Sequence, residues 1–364
     1  MGFKCGLVGL PNVGKSTLFN ILTNSEVSAE NFPFCTIKPN TAIVSVQDIR
    51  LKQLNDIVKS DKVVPTIMEF VDIAGLIKGS YKGEGLGNAF LDNIRNTDAI
   101  IHVVRCFQDD KIIHVYQEID PIRDIELINM ELIFSDISLC KKNINKIVTQ
   151  KKNNKNIDIF QKKLNLLNKF LSHLETKGAL RSLSMNENEK KISIEFKFIT
   201  LKPILYLANI GKDSEKNLKI KNLIEFCKKE FSQLIPVCIL LEKKFFNDNK
   251  KKYLLNTNNK KRYQSILDKI ILSGYKLLNL CTFFTVGKKE IRAWNIPKNS
   301  KITIAARKIH SDMEKGFIRA NVISFSDFII CNGEKNSKKM GKNRVEGKNY
   351  YIQEGDIINI LFNI

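Results

Sequence analysis

The chain has 364 residues, 43% of them hydrophobic and 27% charged, enough for roughly two to three domains of ordinary size, each with its own core. That balance excludes a disordered or fibrous chain, and no uncharged apolar run approaches the ~20 residues that a bilayer span requires. Net charge is +21, but residues 1–124 carry −2 and residues 125–364 carry +23, so a polyanionic partner is expected at the later segments. RNA is the natural candidate, and a general drift toward Lys and Asn is the alternative source of the charge.

The eight cysteines stand singly, with no C-x-x-C pair for zinc or redox work, and are expected to be reduced and mostly buried. No basic-then-apolar leader opens the chain, so the expected location is the cytoplasm.

In chain order, an apolar run at Phe3–Val8 reads as a strand and Ser16–Leu22 as a helix. Between them stands Gly9-Leu10-Pro11-Asn12-Val13-Gly14-Lys15-Ser16-Thr17, the G-x-x-x-x-G-K-S spacing of a phosphate-binding loop in its strand-to-helix setting. Glycines let the backbone curl so that successive N–H groups and the helix N-terminus face phosphate oxygens. Asn12, Val13, Gly14, Lys15, Ser16 and Thr17 are the expected nucleotide contacts. Lys15 is expected to reach the β- and γ-phosphates as a catalytic group, Ser16 to offer a hydroxyl to Mg²⁺, and Thr17 to support the first helical turn.

Residues 31–40 hold two prolines and read as a loop that orders around a γ-phosphate, with Thr36 the expected metal contact. Residues 42–46 read as a strand, and so do Thr66–Val71, which end in Asp72-Ile73-Ala74-Gly75. A D-x-x-G at the carboxyl edge of a parallel sheet assigns Asp72 to Mg²⁺ through water and the Gly75 N–H to the γ-phosphate. Leu76 follows, where Ras-like switches carry the glutamine that orients water, so another group must do that work or hydrolysis is slow.

Ala99–Val104 reads as a buried strand leading to Arg105-Cys106-Phe107 and a loop with His114. Apolar residues then recur at helical spacing from Ile125, break at 153–156, and resume at Phe160, Leu164, Leu167, Leu171 and Leu174, the pattern of a helical coiled-coil hairpin over 125–199. Pro203–Asn209 returns to sheet, so the hairpin reads as an insertion. Residues 217–231 read as helix, Leu234–Leu241 as strand, 263–278 as helix, and residues from 281 to 364 as a small α+β domain with a helix near 303–313.

Together these stretches resemble the YchF family of Obg-related P-loop NTPases. The carrying motifs are residues 9–17, Asn-Phe-Pro-Phe-Cys-Thr-Ile at 31–37, Asp-Ile-Ala-Gly-Leu-Ile-Lys-Gly at 72–79, Gly-Glu-Gly-Leu-Gly-Asn at 83–88, Arg-Cys-Phe at 105–107, Arg-Ala-Trp at 292–294 and Glu-Lys-Gly-Phe-Ile-Arg-Ala at 314–320. The resemblance implies an α/β fold: a Ras-like nucleotide domain at 1–124 plus 200–280, an inserted coiled-coil hairpin at 125–199 and a β-grasp (TGS) domain at 281–364. It implies an ATP-binding and ATP-hydrolysing switch protein that uses Mg²⁺ and associates with the ribosome or its RNA, without DNA specificity, as a monomer. It also makes His114 the water-positioning residue; as an isolated loop histidine it reads equally as a surface or capping residue.

Guanine-specific relatives use N-K-x-D, whose Asp accepts from two guanine donors, and this chain has Asn209-Ile210-Gly211-Lys212. Lysine only donates, and neighbouring Asp213 is the alternative acceptor if the loop shifts. Asn209 and Ile210 are the expected base-side contacts, with Asn209 able to meet adenine's edge. Two other functions remain open: a nucleotide-gated RNA or protein adaptor with negligible turnover, and a GTPase in ribosome assembly.

Overall fold

The computed structural model describes residues 2–23, 40–73, 86–116, 118–151, 157–211, 218–230, 232–244 and 266–363. Thr36, Gly75, Leu76, Lys212 and Asp213 lie outside the described residues, as do the loop at 31–37 and most of the glycine-rich stretch after Asp72. In chain order the strands are β1 (Phe3–Val8), β2 (Thr41–Ser45), β3 (Val63–Val64), β4 (Ile67–Asp72), β5 (Ala99–Arg105), β6 (Ile204–Asn209), β7 (Gln233–Val237), β8 (Leu280–Val286), β9 (Ile291–Pro297), β10 (Phe317–Ile323), β11 (Arg344–Glu346) and β12 (Ile357–Phe362). The helices used below are α1 (Lys15–Thr23), α2 (Ile49–Val58), α3 (Leu86–Arg95), α4 (Pro121–Lys151) and α5 (Ile157–Thr176).

The first sheet runs β2-β4-β1-β5-β6-β7, parallel throughout except for β2, which pairs antiparallel with β4. β5 and β6 are buried along their whole lengths. A parallel strand covered on both faces has no solvent side, which is why both read as near-continuous apolar runs rather than alternating ones, with buried His102 the one polar residue inside β5. β7 ends at Val237, four residues before the strand expected from sequence, and a helical turn takes over at 239–244. Its Pro236 is tolerated because β7 is an edge, where a missing N–H costs no ladder bond. This topology brings Val8, Asp72, Arg105 and Asn209 to the carboxyl ends of four adjacent strands, where an open parallel sheet binds ligands.

The second sheet runs β11-β10-β12-β8-β9-β3, and its last strand comes from the other end of the chain. Val63 and Val64 pair in parallel with Ile291 and Arg292. Leu51 and Leu54 of α2 share a buried cluster with Phe284, Ile291 and Phe328. Arg50 bonds Asp48 and reaches Glu354 at 2.7 Å, its guanidinium 4.9 Å from the centre of the Phe284 ring. The C-terminal part therefore completes its sheet and core with residues 48–64 of the first part. The single helix expected at 303–313 is two, Ile302–Ile309 and Ser311–Lys315, divided by the extended backbone of His310.

α4 belongs to two cores. Its Ile125, Ile128 and Leu132 pack in the nucleotide-domain core, whereas Cys140 and Ile147 pack with Leu166, Leu167, Phe170 and Leu174 of α5. At 31 residues it is a continuous rod of about 46 Å from the nucleotide domain into the arm. The arm is more than a hairpin: residues 180–198 fold back over it, and Leu180 and Phe198 join its core, with Phe198 edge-on to Phe170 at 5.5 Å. This third segment explains why Leu166 and Phe170 are buried beside the expected 160/164/167/171/174 seam. At the arm's root, fully buried Asp136 accepts from Ile199 N (3.1 Å), Thr200 N (2.7 Å) and Thr200 Oγ1 (2.7 Å), with Arg95 Nη1 at 3.2 Å.

The described cysteines are free thiols, and burial pushes Cys106, Cys140 and Cys227 up to about 12. Such thiols are protonated and unreactive at neutral pH.

Candidate nucleotide site

The loop between β1 and α1 turns sharply at Asn12 and Gly14, with φ of 62° and 99°. Asparagine visits this left-handed region more readily than most side chains do, but position 14 has a second constraint. A Cβ there would sit 2.5 Å from Asn209 Nδ2. Gly9 is held by proximity instead, since its Cβ would lie 2.7 Å from the Val103 carbonyl. The Leu18 N–H donates to the Gly14 carbonyl at 2.9 Å, which seats α1 directly on the loop with Leu18 and Leu22 in the core.

Lys15 is 9% exposed, and its ammonium contacts Asp72 Oδ1. The two residues that sequence reasoning assigned to phosphate and metal are thus brought together from β4 and the start of α1. Ser16 is exposed in the first turn of α1, and Thr17 is half-buried beside it. Among the described residues no group of three or more His, Cys, Asp or Glu side chains is placed to cage a metal ion. One carboxylate and one hydroxyl beside a phosphate cradle suit Mg²⁺, which usually keeps waters and takes its remaining ligands from substrate phosphates.

Asn209 has a structural task that the sequence did not reveal. Its Nδ2 donates to the Val13 carbonyl at 2.9 Å and its Oδ1 accepts from the Ile239 N–H at 3.3 Å, and the residue is 6% exposed. An amide tied to backbone from both sides and buried at this depth braces the phosphate loop against the end of β6 and keeps one Nδ2 N–H beyond these two bonds. Ile210 donates its N–H to the Val237 carbonyl at 2.8 Å and packs its side chain on the core, so it contributes as scaffold.

The loop after β5 is organised by Arg105, a buried cation that sequence reasoning did not single out. Its guanidinium donates to the carbonyls of Phe107 (3.2 Å), Ile112 (3.0 Å) and Asp109 (3.2 Å) and lies 4.7 Å from the Phe107 ring centre. A cation closing a buried, mostly apolar strand was the available signal, because such a charge must find acceptors. The loop in turn touches the phosphate loop through Asn12 Nδ2, which donates to the Ile113 carbonyl at 3.1 Å. A cavity of about 570 Å³ lies here, lined by Arg105, Asp109, Ile113 and His114 among others.

His114 stands one residue from that contact but faces inward, 4% exposed. Its Nδ1 accepts from the Tyr116 N–H at 3.2 Å, and its Nε2 is 2.9 Å from Asp124 Oδ2. With Nδ1 accepting, the proton sits on Nε2 and is donated to the carboxylate. Both ring nitrogens are engaged, so orienting water requires the ring to turn. Burial raises the Asp124 carboxyl above the usual carboxylate range, and the neighbouring His114 and Arg123 oppose that.

Against known proteins, residues 4–135 match the family model described as "50S ribosome-binding GTPase", and residues 280–363 match the YchF-GTPase C-terminal model, described as "Protein of unknown function (DUF933)". A protein of Buchnera aphidicola subsp. Acyrthosiphon pisum named ribosome-binding ATPase YchF is 53% identical over 366 residues, covering all of both chains. The protein of that name from Escherichia coli O157:H7 is 49% identical over 367 residues, again over the whole of each. The solved structure of the Schizosaccharomyces pombe YchF GTPase superposes with a TM-score of 0.82 at 34% identity, covering 99% of this chain and 98% of that one. With the phosphate loop, the Asp72 strand end, the α4–α5 arm and the C-terminal sheet all falling inside these full-length matches, this chain belongs to the YchF family.

Proposed function

We propose that the chain is a P-loop ATPase that works on the ribosome in the cytoplasm, and that the observation carrying this reading is the contact of Lys15 with Asp72 at the mouth of a loop locked by Gly14 and Asn209. Backbone N–H groups of residues 12–17 would cradle the phosphates, and the Lys15 ammonium would shift from Asp72 onto the β- and γ-oxygens. Ser16 and Asp72 would hold Mg²⁺, with Thr36 and Gly75 the expected contacts from segments outside the described residues. The ion would supply Lewis-acid neutralisation of the charge that develops on the phosphates.

With leucine at position 76, His114 is the loop residue proposed to orient the attacking water, after it leaves its inward position. Ribosome association is supported by the names of full-length relatives at 53% and 49% identity and by the +23 charge of residues 125–364, which faces polyanionic RNA favourably. A monomer suffices, since both sheets are completed within one chain.

The relatives' names divide over the base, ATPase in two and GTPase in the fission yeast structure. Lysine at position 212 supplies no acceptor for guanine's paired donors, and the Asn209 amide, already bonded to backbone on both sides, is no carboxylate, which leaves neighbouring Asp213 as the residue to suspect if GTP is preferred. An unpaired guanine donor in a partly buried pocket costs about 1–3 kcal/mol, or roughly one to two decades of affinity. Titration with labelled ATP and GTP should therefore give ATP binding at least as tight as GTP. Preference for GTP by about tenfold or more would contradict the ATPase reading.

A further inference from the structure

We propose that Asp124 is a positioning residue, a latch on the first turn of α4 that holds His114 away from the nucleotide and places its release under the control of the arm. The inference rests on the reading of His114 as the group that orients water. Its geometric basis is independent: the Asp124 Oδ2 contact at 2.9 Å and the Tyr116 N–H contact at 3.2 Å occupy both imidazole nitrogens and turn the ring inward. The ring therefore cannot bond a water until the Asp124 contact opens.

Asp124 is built to let go as well as to hold. It is 2% exposed, and its second oxygen, Oδ1, has no hydrogen-bond partner among the described residues. Arg123 Nη2 donates one N–H to the Glu118 carbonyl at 2.5 Å and stands 3.8 Å from that oxygen, and Arg123 Nε lacks a partner among the described residues. A buried carboxylate that loses its one side-chain bond is costly, yet here a neighbouring guanidinium is in place to take it over. The site thus has two arrangements of similar polar satisfaction, carboxylate to imidazole and carboxylate to guanidinium.

The latch sits where the arm can reach it. Asp124 precedes Ile125 and Ile128, which anchor α4 in the nucleotide-domain core, and the same helix continues to Cys140 and Ile147 in the arm core. A small rotation of α4 by a partner that grips the arm would move the carboxylate relative to the loop. That loop is fixed elsewhere by Arg105 and by Asn12, so the displacement would fall on the His114 contact.

The test is single-turnover ATP hydrolysis by the full chain, with and without ribosomes, for the wild type and for Asp124→Asn, Arg123→Ala, His114→Ala and the Asp124→Asn/His114→Ala double variant. Asparagine keeps the shape at position 124 but replaces a charge-assisted bond with a neutral one. It should speed the ribosome-free rate by roughly three- to tenfold, lower the ribosome stimulation ratio by the same factor, and leave the KM for ATP unchanged within about twofold. Arg123→Ala, at a half-exposed side chain that does not threaten folding, should slow the ribosome-free rate by removing the carboxylate's second partner. The double variant should match His114→Ala. If His114→Ala is slow but Asp124→Asn is equal to or slower than the wild type, the latch is wrong and Asp124 supports the histidine instead. If His114→Ala turns over like the wild type, the reading of His114 is itself wrong, and the latch falls with it.

Discussion

Lys15→Ala should weaken ATP binding by roughly a hundredfold or more while leaving the protein folded. Two effects act in the same direction. The substitution removes a charge-assisted bond to phosphate, worth about 1.5–3 kcal/mol on its own. It also leaves the Asp72 carboxylate, now in contact with Lys15, uncompensated next to an incoming tetraanion. Asp72 is partly exposed, its side chain at 20%, so water can take up the lost contact and the fold should lose about 1 kcal/mol at most. Equilibrium binding of labelled ATP together with a thermal melt checks both halves. Wild-type affinity in Lys15→Ala would remove the phosphate assignment.

The second large effect is on stability. Asp136→Ala strips the acceptor from two backbone N–H groups and a hydroxyl at the return of the arm, and leaves Arg95 facing an empty site. Breaking one side of a buried, hydrogen-bonded charge usually costs about 3–5 kcal/mol, because the remaining donors stay dehydrated and unpaired. Urea unfolding followed by helical circular dichroism should show a loss of that size, centred on the helix-rich arm. A change below about 1 kcal/mol would mean that the root of the arm rehydrates freely, and that α4 is not held as described.

Much of the fold was legible in the residues. Largely apolar runs at Ala99–Val104, interrupted only by His102, and at Ile204–Ala208 announced buried parallel strands, and residues 9–17 read as a loop between strand and helix, as the structure has them. What escaped depends on contacts between distant segments. Nothing local in Val63-Val64 tells that they complete the C-terminal sheet, because two valines carry no period and their partner lies at 291–292. The fold-back at 180–198 was hidden for a similar reason: short 3₁₀ turns and a seven-residue helix give too little periodicity to read.

The site divides along the same line. Lys15, Ser16 and Asp72 were proposed from spacing, and what the structure adds is the contact between Lys15 and Asp72. The brace that Asn209 forms with the Val13 carbonyl and the Ile239 N–H was not legible, because a side chain's valence does not reveal its partner. Arg105 and Asp124 were missed as acting residues, although each is an ionised group at the edge of an apolar segment, and such groups must find partners when the chain folds.

ATP turnover in this chain is expected to be coupled to the ribosome through the basic part of the molecule. Single-turnover hydrolysis of ATP by the wild-type protein, measured with and without purified ribosomes across a salt series, tests it most directly. The account predicts that ribosomes accelerate hydrolysis and that the acceleration fades as salt rises, since Lys and Arg in residues 125–364 bind RNA by displacing condensed counterions. An unchanged rate with ribosomes bound would contradict it, and would leave a nucleotide-gated adaptor in its place.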